Sequence, residues 1–450
     1  MRVTIVGGGI SGLATAHLAA ARGHDVTLID DAAGPGGKPG GKPGGLIDSV
    51  RRDGFLCEHG PQAVLDGPDE TRALIEAAGL SSRVLQASPA ARRRFVYVGG
   101  ALRPFPASPP ALFKTNLLSA GAKLRLFFEP FVARGREDES VYAFVARRFG
   151  REAADRAAAP ALIGVFAGDA AALSVRSALP RVAAMEREHG SVLRALMRRK
   201  RGGRGLGRPV SFPDGLGELP AALAQALGSR RRVARAAEIA PISVDGMGGW
   251  RVTTADGAFI ESERLVLATP AAATAALLAP HAPEAAAALR AIPHAPVAVV
   301  CMGFRAAAEL RMDLDAYGFV VARGEGVRTL GCQFETSVFS DRAPEGGVLL
   351  RALLGGTFDP GLVDADDATI AAQAVADLRR AAGLTREPDL VDVWRARPGI
   401  PQYDLAHGAR VRAVDDAVAR LRGLAVIGNA LRGVGVNDCI AAATRLAAEL

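Results

Sequence analysis

Aromatic residues are scarce. Phe, Trp and Tyr make up 5% of the 450 residues, although hydrophobic residues make up 49%. The apolar share is that of a core-forming protein and excludes a disordered chain. That core must be packed by aliphatic side chains and alanine. Cysteine is scarcer still: Cys57, Cys301, Cys332 and Cys439 stand far apart. No CxxC pair and no histidine at ligand spacing accompanies them, so neither a metal site nor a disulfide framework is expected. Reduced thiols in a cytoplasmic setting are the expectation. No uninterrupted apolar run is long enough to cross a bilayer. Residues 265–280 come closest, and Thr269, Pro270, Thr274 and Pro280 break them. The chain opens directly on a strand, without the pattern of a signal peptide. A soluble protein, or one lying peripherally on the inner face of the cell membrane, is expected. Acidic residues are in deficit: 47 Asp and Glu face 55 Lys and Arg, for a formal net charge of +8. This surplus suits an acidic substrate or an anionic membrane surface; general Arg-rich usage accounts for it equally well. No basic strand studded with aromatics appears, so nucleic acid is not expected as a partner.

Glycine, by contrast, is abundant, with 52 residues, and its placement is informative. The apolar run Met1–Val6 leads into GGGISG, Gly7, Gly8, Gly9, Ile10, Ser11 and Gly12. A strand, a glycine turn and a helix start in this order form a dinucleotide-binding βαβ fingerprint. Gly7 permits the tight turn, Gly9 lets the backbone approach a pyrophosphate, and Gly12 lets the helix pack on the strand. The free N–H groups at the helix start then hold the diphosphate. The helix is predicted from about Ser11 to Arg22, and a second strand from Asp25 to Asp30. Asp30 ends that strand where an acid accepts hydrogen bonds from a ribose. FAD and NAD satisfy this unit equally.

GPGGKPGGKPGG follows, with GGKP in tandem. This density of glycine and proline excludes helix and strand. A loop that touches phosphates through its amides and Lys38 or Lys42 is one reading, and a slack surface loop is the other. From about Ser108 to Lys200 the chain reads as mainly helical. There Phe113, Leu117, Leu124, Phe127, Phe128 and Phe131 recur at near-helical spacing, with Lys114, Lys123 and Arg125 between them. A core-facing helix and a membrane-interface helix both produce that pattern. Residues 296–397 read as strands with one helix, an α+β domain inserted into the nucleotide fold. The final residues return to strand, turn and helix through GVGVNDCI, Gly433 to Ile440. A second helix start at the far end of the chain would complete the site opened at Gly7. Its dipole would stabilise a reduced, anionic flavin ring, which favours flavin over NAD.

Together these segments resemble the FAD-dependent amine-oxidase superfamily, and more narrowly its oxygen-dependent protoporphyrinogen oxidases and their coproporphyrinogen-oxidising relatives. The narrower markers are FLCEHGPQAV (Phe55 to Val64), RRFVYVGGALRPFPASPP (Arg93 to Pro110), GVFAGDAAALSV (Gly164 to Val175), GIPQYDLAH (Gly399 to His407) and IGNALRGVGVNDCI (Ile427 to Ile440). The resemblance implies an α/β fold: a Rossmann-like FAD-binding domain over 1–90, 210–295 and 405–450, a mainly helical region over 91–209 that serves the substrate or a membrane surface, and an inserted α+β substrate domain over 296–404. It implies FAD contacts at Gly7 to Gly12, Asp30, Gly37, Lys38, Gly60, Pro61, Gln62, Ala63, Val434, Gly435 and Val436, and at the backbone of Ala237. Asp30 stands where glutamate is commoner, so its reach is shorter. Arg94 would pair with a substrate propionate, and Gly164, Val165 and Phe166 would form a substrate-lining turn. His59 and His407 fall in matching motifs and are read as structural. No metal and no catalytic side chain are implied, because the flavin carries the redox chemistry.

The implied activity is oxidation of protoporphyrinogen IX to protoporphyrin IX with O2 as acceptor and H2O2 as by-product. Coproporphyrinogen III is the alternative substrate, and an amine oxidase, a desaturase or a porphyrin carrier is more remote. Porphyrinogen and O2 are the implied reactants. Contact with an anionic membrane and a homodimer remain open.

Overall fold

The computed structural model describes residues 1–31, 43–106, 111, 115–198, 207–244, 247–306, 310 and 312–450. Gly37, Lys38, most of the GGKP repeat, Phe113 and Lys114 lie outside the described residues.

Five parallel strands form the nucleotide sheet, in the order Arg231–Val233, Asp25–Asp30, Arg2–Val6, Arg264–Leu267, Leu424–Val426. Parallel strands are buried on both faces and therefore read as continuous apolar runs. Ile5, Leu28 and Val266 pack on one face against Leu13, Leu219, Leu223 and Ile440. Val6, Ile29, Leu265 and Leu267 pack on the other against Trp250, Val252, Leu278 and Val414. The covering helices bury alanine where aromatic side chains would need more room: Ala14, Ala16 and Ala19 on one side, Ala271, Ala275, Ala285 and Ala286 on the other. This is how a chain poor in aromatics closes its core.

A second sheet of seven strands builds the α+β part. Its order is Leu390–Pro401, His294–Phe304, Val348–Gly355, Gly331–Phe334, Gly318–Val321, Arg94–Val98, Ala101–Pro104. The last two strands come from residues assigned above to the helical region. The alternating segment RFVYV fits a half-buried strand, and Arg94–Val98 pairs in parallel with Gly318–Val321. The inserted unit is thus discontinuous in sequence. Phe319, Phe334 and Leu350 on one face of the sheet pack with Ile370 and Leu378 of the helix Asp367–Ala382.

The helical region itself is short-jointed. A single helix over Leu117–Phe131 does not form. Ala120–Phe127 is one helix, and Glu129–Phe131 is a separate single turn. Leu117 and Leu126 are buried, while Leu124, Phe127, Phe128 and Phe131 are exposed, Phe131 by 80%. For these four the core-facing alternative is overturned. Among the described residues no helix is long and apolar enough to cross a membrane.

Candidate active site

The helices Ile10–Ala21 and Val436–Glu449 follow two parallel strands of the same sheet, so both amino termini lie at its carboxyl edge. They also share one core: Ile10 and Leu13 lie with Val436, Cys439 and Ile440. Neither helix has a side-chain cap at Gly9 or Gly435, and the first has no acid in its opening turn. Free amides and the dipole at such ends favour an anion.

The glycines divide the work. Gly7 turns the chain at φ +119°, outside the range of ordinary residues. A Cβ on Gly8 would lie 2.0 Å from the Asp30 carboxyl carbon, and one on Gly12 would lie 1.9 Å from the Gly7 carbonyl oxygen. A Cβ on Gly9 would meet nothing within 4 Å among the described residues. Gly8 and Gly12 are therefore required by packing, and Gly9 is the one that faces open space. The second segment of the cradle is pinned to the first, since the Gly44 N–H donates to the Gly8 carbonyl (2.8 Å). Asp30 ends its strand beside Gly8 and is buried, and Arg231 holds one of its oxygens at 2.6 and 3.1 Å. Between Ala236 and Glu238 the strand register slips, which leaves the Ala237 backbone outside the ladder.

Gly60 to Ala63 are fixed from behind. The buried Arg351 donates to the carbonyls of Glu58 (2.7 Å) and Gly60 (2.5 Å) and to Oε1 of Gln333 (2.6 Å). Gln62 is oriented with its nitrogen toward Oε1 of Glu335 (2.8 Å) and its oxygen toward the Tyr317 hydroxyl (2.9 Å). Burial raises the Glu335 carboxyl above its usual range. Burial also raises Glu58 to about 7, against hydrogen bonds from Ser49 and the Leu216 amide. Pro61 is exposed, and Gln62 is buried. At the other end of the chain, the Asn437 side chain bonds both polar groups of the Leu65 backbone (2.9 and 2.8 Å) and the Thr71 hydroxyl (2.7 Å).

Arg94 begins its strand in register with Gly318, and Val96 with Val320. Arg94, Val96 and Val320 therefore share one sheet face. The helix Ala159–Phe166 covers that face, with a Cβ built on Gly164 lying 3.2 Å from Val320 Cγ1. The expected turn at Gly164–Phe166 is thus the last turn of a helix. The reversal comes one residue later, at Ala167, whose φ is +48°. Gly164 and Val165 are exposed, but Phe166 is buried and packs edge-on against Tyr403 at 5.7 Å. Phe166 therefore supports the wall and does not line it. The Arg94 guanidinium lies over the Tyr317 ring (4.8 Å) and has no carboxylate partner among the described residues. Its neighbour Arg93 is paired with Asp313 (3.0 Å) and Asp315 (2.5 Å).

A family model for flavin-containing amine oxidoreductases matches residues 10–450. The chain belongs to this family. It is 31% identical to protoporphyrinogen oxidase of Bos taurus, over 100% of this chain and 98% of that one. It is 26% identical to coproporphyrinogen III oxidase of Bacillus subtilis, over 97% and 95%. A solved structure from Exiguobacterium sp. 255-15 superposes with a TM-score of 0.82 at 26% identity, covering 100% of this chain and 98% of that one.

FAD is accordingly the cofactor of this flavin oxidoreductase, and the residues fit it. The uncapped amides at Gly9 and Gly435, the space over Gly9 and the Asp30 carboxylate would hold it, offering a diphosphate cradle, a second helix dipole and a ribose acceptor. Arg231, Tyr317, Arg351 and Asn437 escaped the sequence reading. Each acts on a partner far away in the chain, and no local spacing marks it.

His59 and His407 are structural. His59 sits between Asp48 (2.7 Å) and Asp392 (2.6 Å) and stacks on Trp394. Burial lowers its pKa, but the two carboxylates outweigh burial and raise it to about 9 from 6.5. The protonated ring therefore stabilises the fold fully below pH about 6.5, and that contribution is lost as pH rises through about 9. Urea melts should show wild type losing up to about 3 kcal/mol more than His59→Gln between these values; identical losses would rule the clamp out. His407 is neutral, since burial lowers its pKa; it donates from Nε2 to the Leu431 carbonyl (2.9 Å) and stacks on Tyr403.

Proposed function

We propose that this chain oxidises a porphyrinogen to the porphyrin, with O2 as acceptor and H2O2 as by-product. Protoporphyrinogen IX, with two propionates, and coproporphyrinogen III, with four, are the two substrates of this class, and the relatives carry both names. The observation that carries the reading is Arg94. A cation without an acid partner shares a sheet face with the apolar wall at Gly164 and Val165, and Tyr317 links it to the segment at Gln62.

The chemistry assigned to the bound flavin is hydride acceptance and reoxidation by O2. This chain's residues bind, orient and exclude water. Arg94 offers a planar fork to a propionate. Val165 presents apolar surface to the macrocycle, and Gly164 lets its helix close on Val320 behind that surface. The amino-terminal dipole of Val436–Glu449 would favour added negative charge on a flavin held at the sheet's carboxyl edge.

Porphyrin fluorescence and peroxide release in air test the reading, and their absence from FAD-loaded protein would overturn it. Arg94→Ala should raise KM roughly 10- to 100-fold with kcat little changed. Arg94→Lys should recover only part of the loss. An unchanged KM would remove Arg94 from the site.

The same reading includes peripheral contact with an anionic membrane. Leu124, Phe127 and Phe128 are 60%, 58% and 55% exposed and lie with Phe131 beside Lys123, while the Arg125 guanidinium turns inward to the Arg147 carbonyl (2.9 Å). Exposed apolar side chains beside a lysine suit an acidic bilayer surface. Sedimentation with phosphatidylserine vesicles should capture the protein, and Phe127→Glu/Phe131→Glu should release it. Equal sedimentation of both proteins would exclude this patch.

A further inference from the structure

Gly318 leaves a gap beside Arg94. In the seven-stranded sheet Arg94 stands opposite Gly318, Gly318 opposite Gln333, and Gln333 opposite Arg351. Directly opposed residues share a face, so these four form one rung across four neighbouring strands. The rung starts at the guanidinium read above as the carboxylate fork. It ends at the arginine that holds the Glu58 and Gly60 carbonyls. Gly318 brings no side chain to it, and a Cβ there would lie 2.0 Å from the Cys332 carbonyl oxygen. Tyr317 spans the gap. The Arg94 guanidinium lies over its ring at 4.8 Å. Its hydroxyl donates to the Gln62 amide oxygen (2.9 Å) and accepts from Gln333 Nε2 (3.3 Å), and Gln333 accepts in turn from Arg351 (2.6 Å). The Tyr317 backbone is tied on both sides, donating to the Arg93 carbonyl (2.8 Å) and accepting from the Phe334 amide (2.9 Å). A ring beneath a guanidinium uses the cation's face and leaves its in-plane N–H groups free for a carboxylate.

We propose that Tyr317 is a positioning residue: its ring presents the Arg94 fork, and its hydroxyl fixes the distance from that fork to residues 60–63. The inference rests on the porphyrinogen reading and adds the residue that sets the carboxylate contact against the flavin side of the site.

The two parts of the tyrosine are tested separately on FAD-loaded protein. Tyr317→Leu removes the ring and should raise KM for protoporphyrinogen IX about fivefold with kcat little changed. Tyr317→Phe keeps the ring and loses only the hydroxyl bonds. It should lower kcat about fivefold with KM little changed, because the fork still binds but no longer at a fixed distance. Fluorescence titration reads binding apart from turnover. Tyr317→Leu should weaken protoporphyrin IX about fivefold and leave its dimethyl ester, which offers no carboxylate, unaffected. Added to Arg94→Ala, Tyr317→Leu should cost nothing further. Equal weakening of acid and ester, losses that add to those of Arg94→Ala, or no separation of KM from kcat between the two variants would overturn the proposal. Should Tyr317→Leu not fold, the kcat of Tyr317→Phe decides alone. Turnover of porphyrinogen by wild type leaves the porphyrinogen reading intact whichever way the variants fall; its absence would overturn both.

Discussion

Gly12→Ala is expected to abolish retention of FAD through purification. The new methyl carbon would fall 1.9 Å from the Gly7 carbonyl oxygen, and that neighbour is backbone with no rotamer to yield. The helix Ile10–Ala21 must shift, and its amino-terminal amides shift with it. A loss of at least about 100-fold in FAD affinity follows, or about 3 kcal/mol. Gly9→Ala separates packing from binding. Among the described residues its methyl meets no atom within 4 Å, so the flavin-free protein should melt as wild type does. FAD affinity should still fall, because the methyl occupies the space over the cradle. Flavin titration and thermal melts of the two variants check this. A Gly12→Ala protein that purifies yellow would refute the assignment of the cradle.

Glu129→Ala is expected to destabilise the fold by about 3–5 kcal/mol. Glu129 is fully buried, as is its partner Arg148, at 2.7 Å. The same carboxylate accepts from Ser191 Oγ and from the amides of Val192 (3.0 Å) and Leu193 (3.2 Å), so it also caps the helix Val192–Arg198. Glu186 shares Arg148 at 2.8 Å, and the Gly190 carbonyl accepts from it at 2.5 Å. Removing Glu129 takes the fully buried carboxylate from Arg148, leaves Glu186 as its remaining acid, and uncaps a helix at once. Replacing both partners, as in Glu129→Leu/Arg148→Met, removes the charge together with its partner and should recover much of the loss. Urea denaturation of the single and double variants measures the coupling. Additive losses would show that the pair does not act as a unit. Glu129 opens the turn that holds Phe131 at the surface, so the variant should also loosen vesicle binding.

The first βαβ unit was legible because its signals are local. A glycine turn, a strand and a terminal acid within thirty residues are each enforced by backbone geometry. The Asp30–Arg231 pair was not legible, because the two residues lie 201 positions apart and meet only when the strand Arg231–Val233 joins the sheet edge. His59 was marked by its motif. Its role comes from Asp48 and Asp392, 11 and 333 residues away, and no spacing rule joins them. The Phe127 to Phe131 stretch had an ambiguous period, since core-facing and surface-facing helices repeat alike. The helix break at Phe128, with Glu129 drawn inward, settled which side the phenylalanines take. Gly164 misled because glycine signals a turn in sequence, whereas here it thins a helix so that the helix can approach Val320.

The most direct test is anaerobic. FAD-loaded protein is mixed with coproporphyrinogen III or protoporphyrinogen IX in the absence of oxygen, and the flavin absorbance is followed. The account predicts that the yellow colour bleaches as porphyrin fluorescence appears, and that it returns with peroxide when air is admitted. Colour that persists unchanged beside intact porphyrinogen, in a preparation that holds FAD, would contradict it.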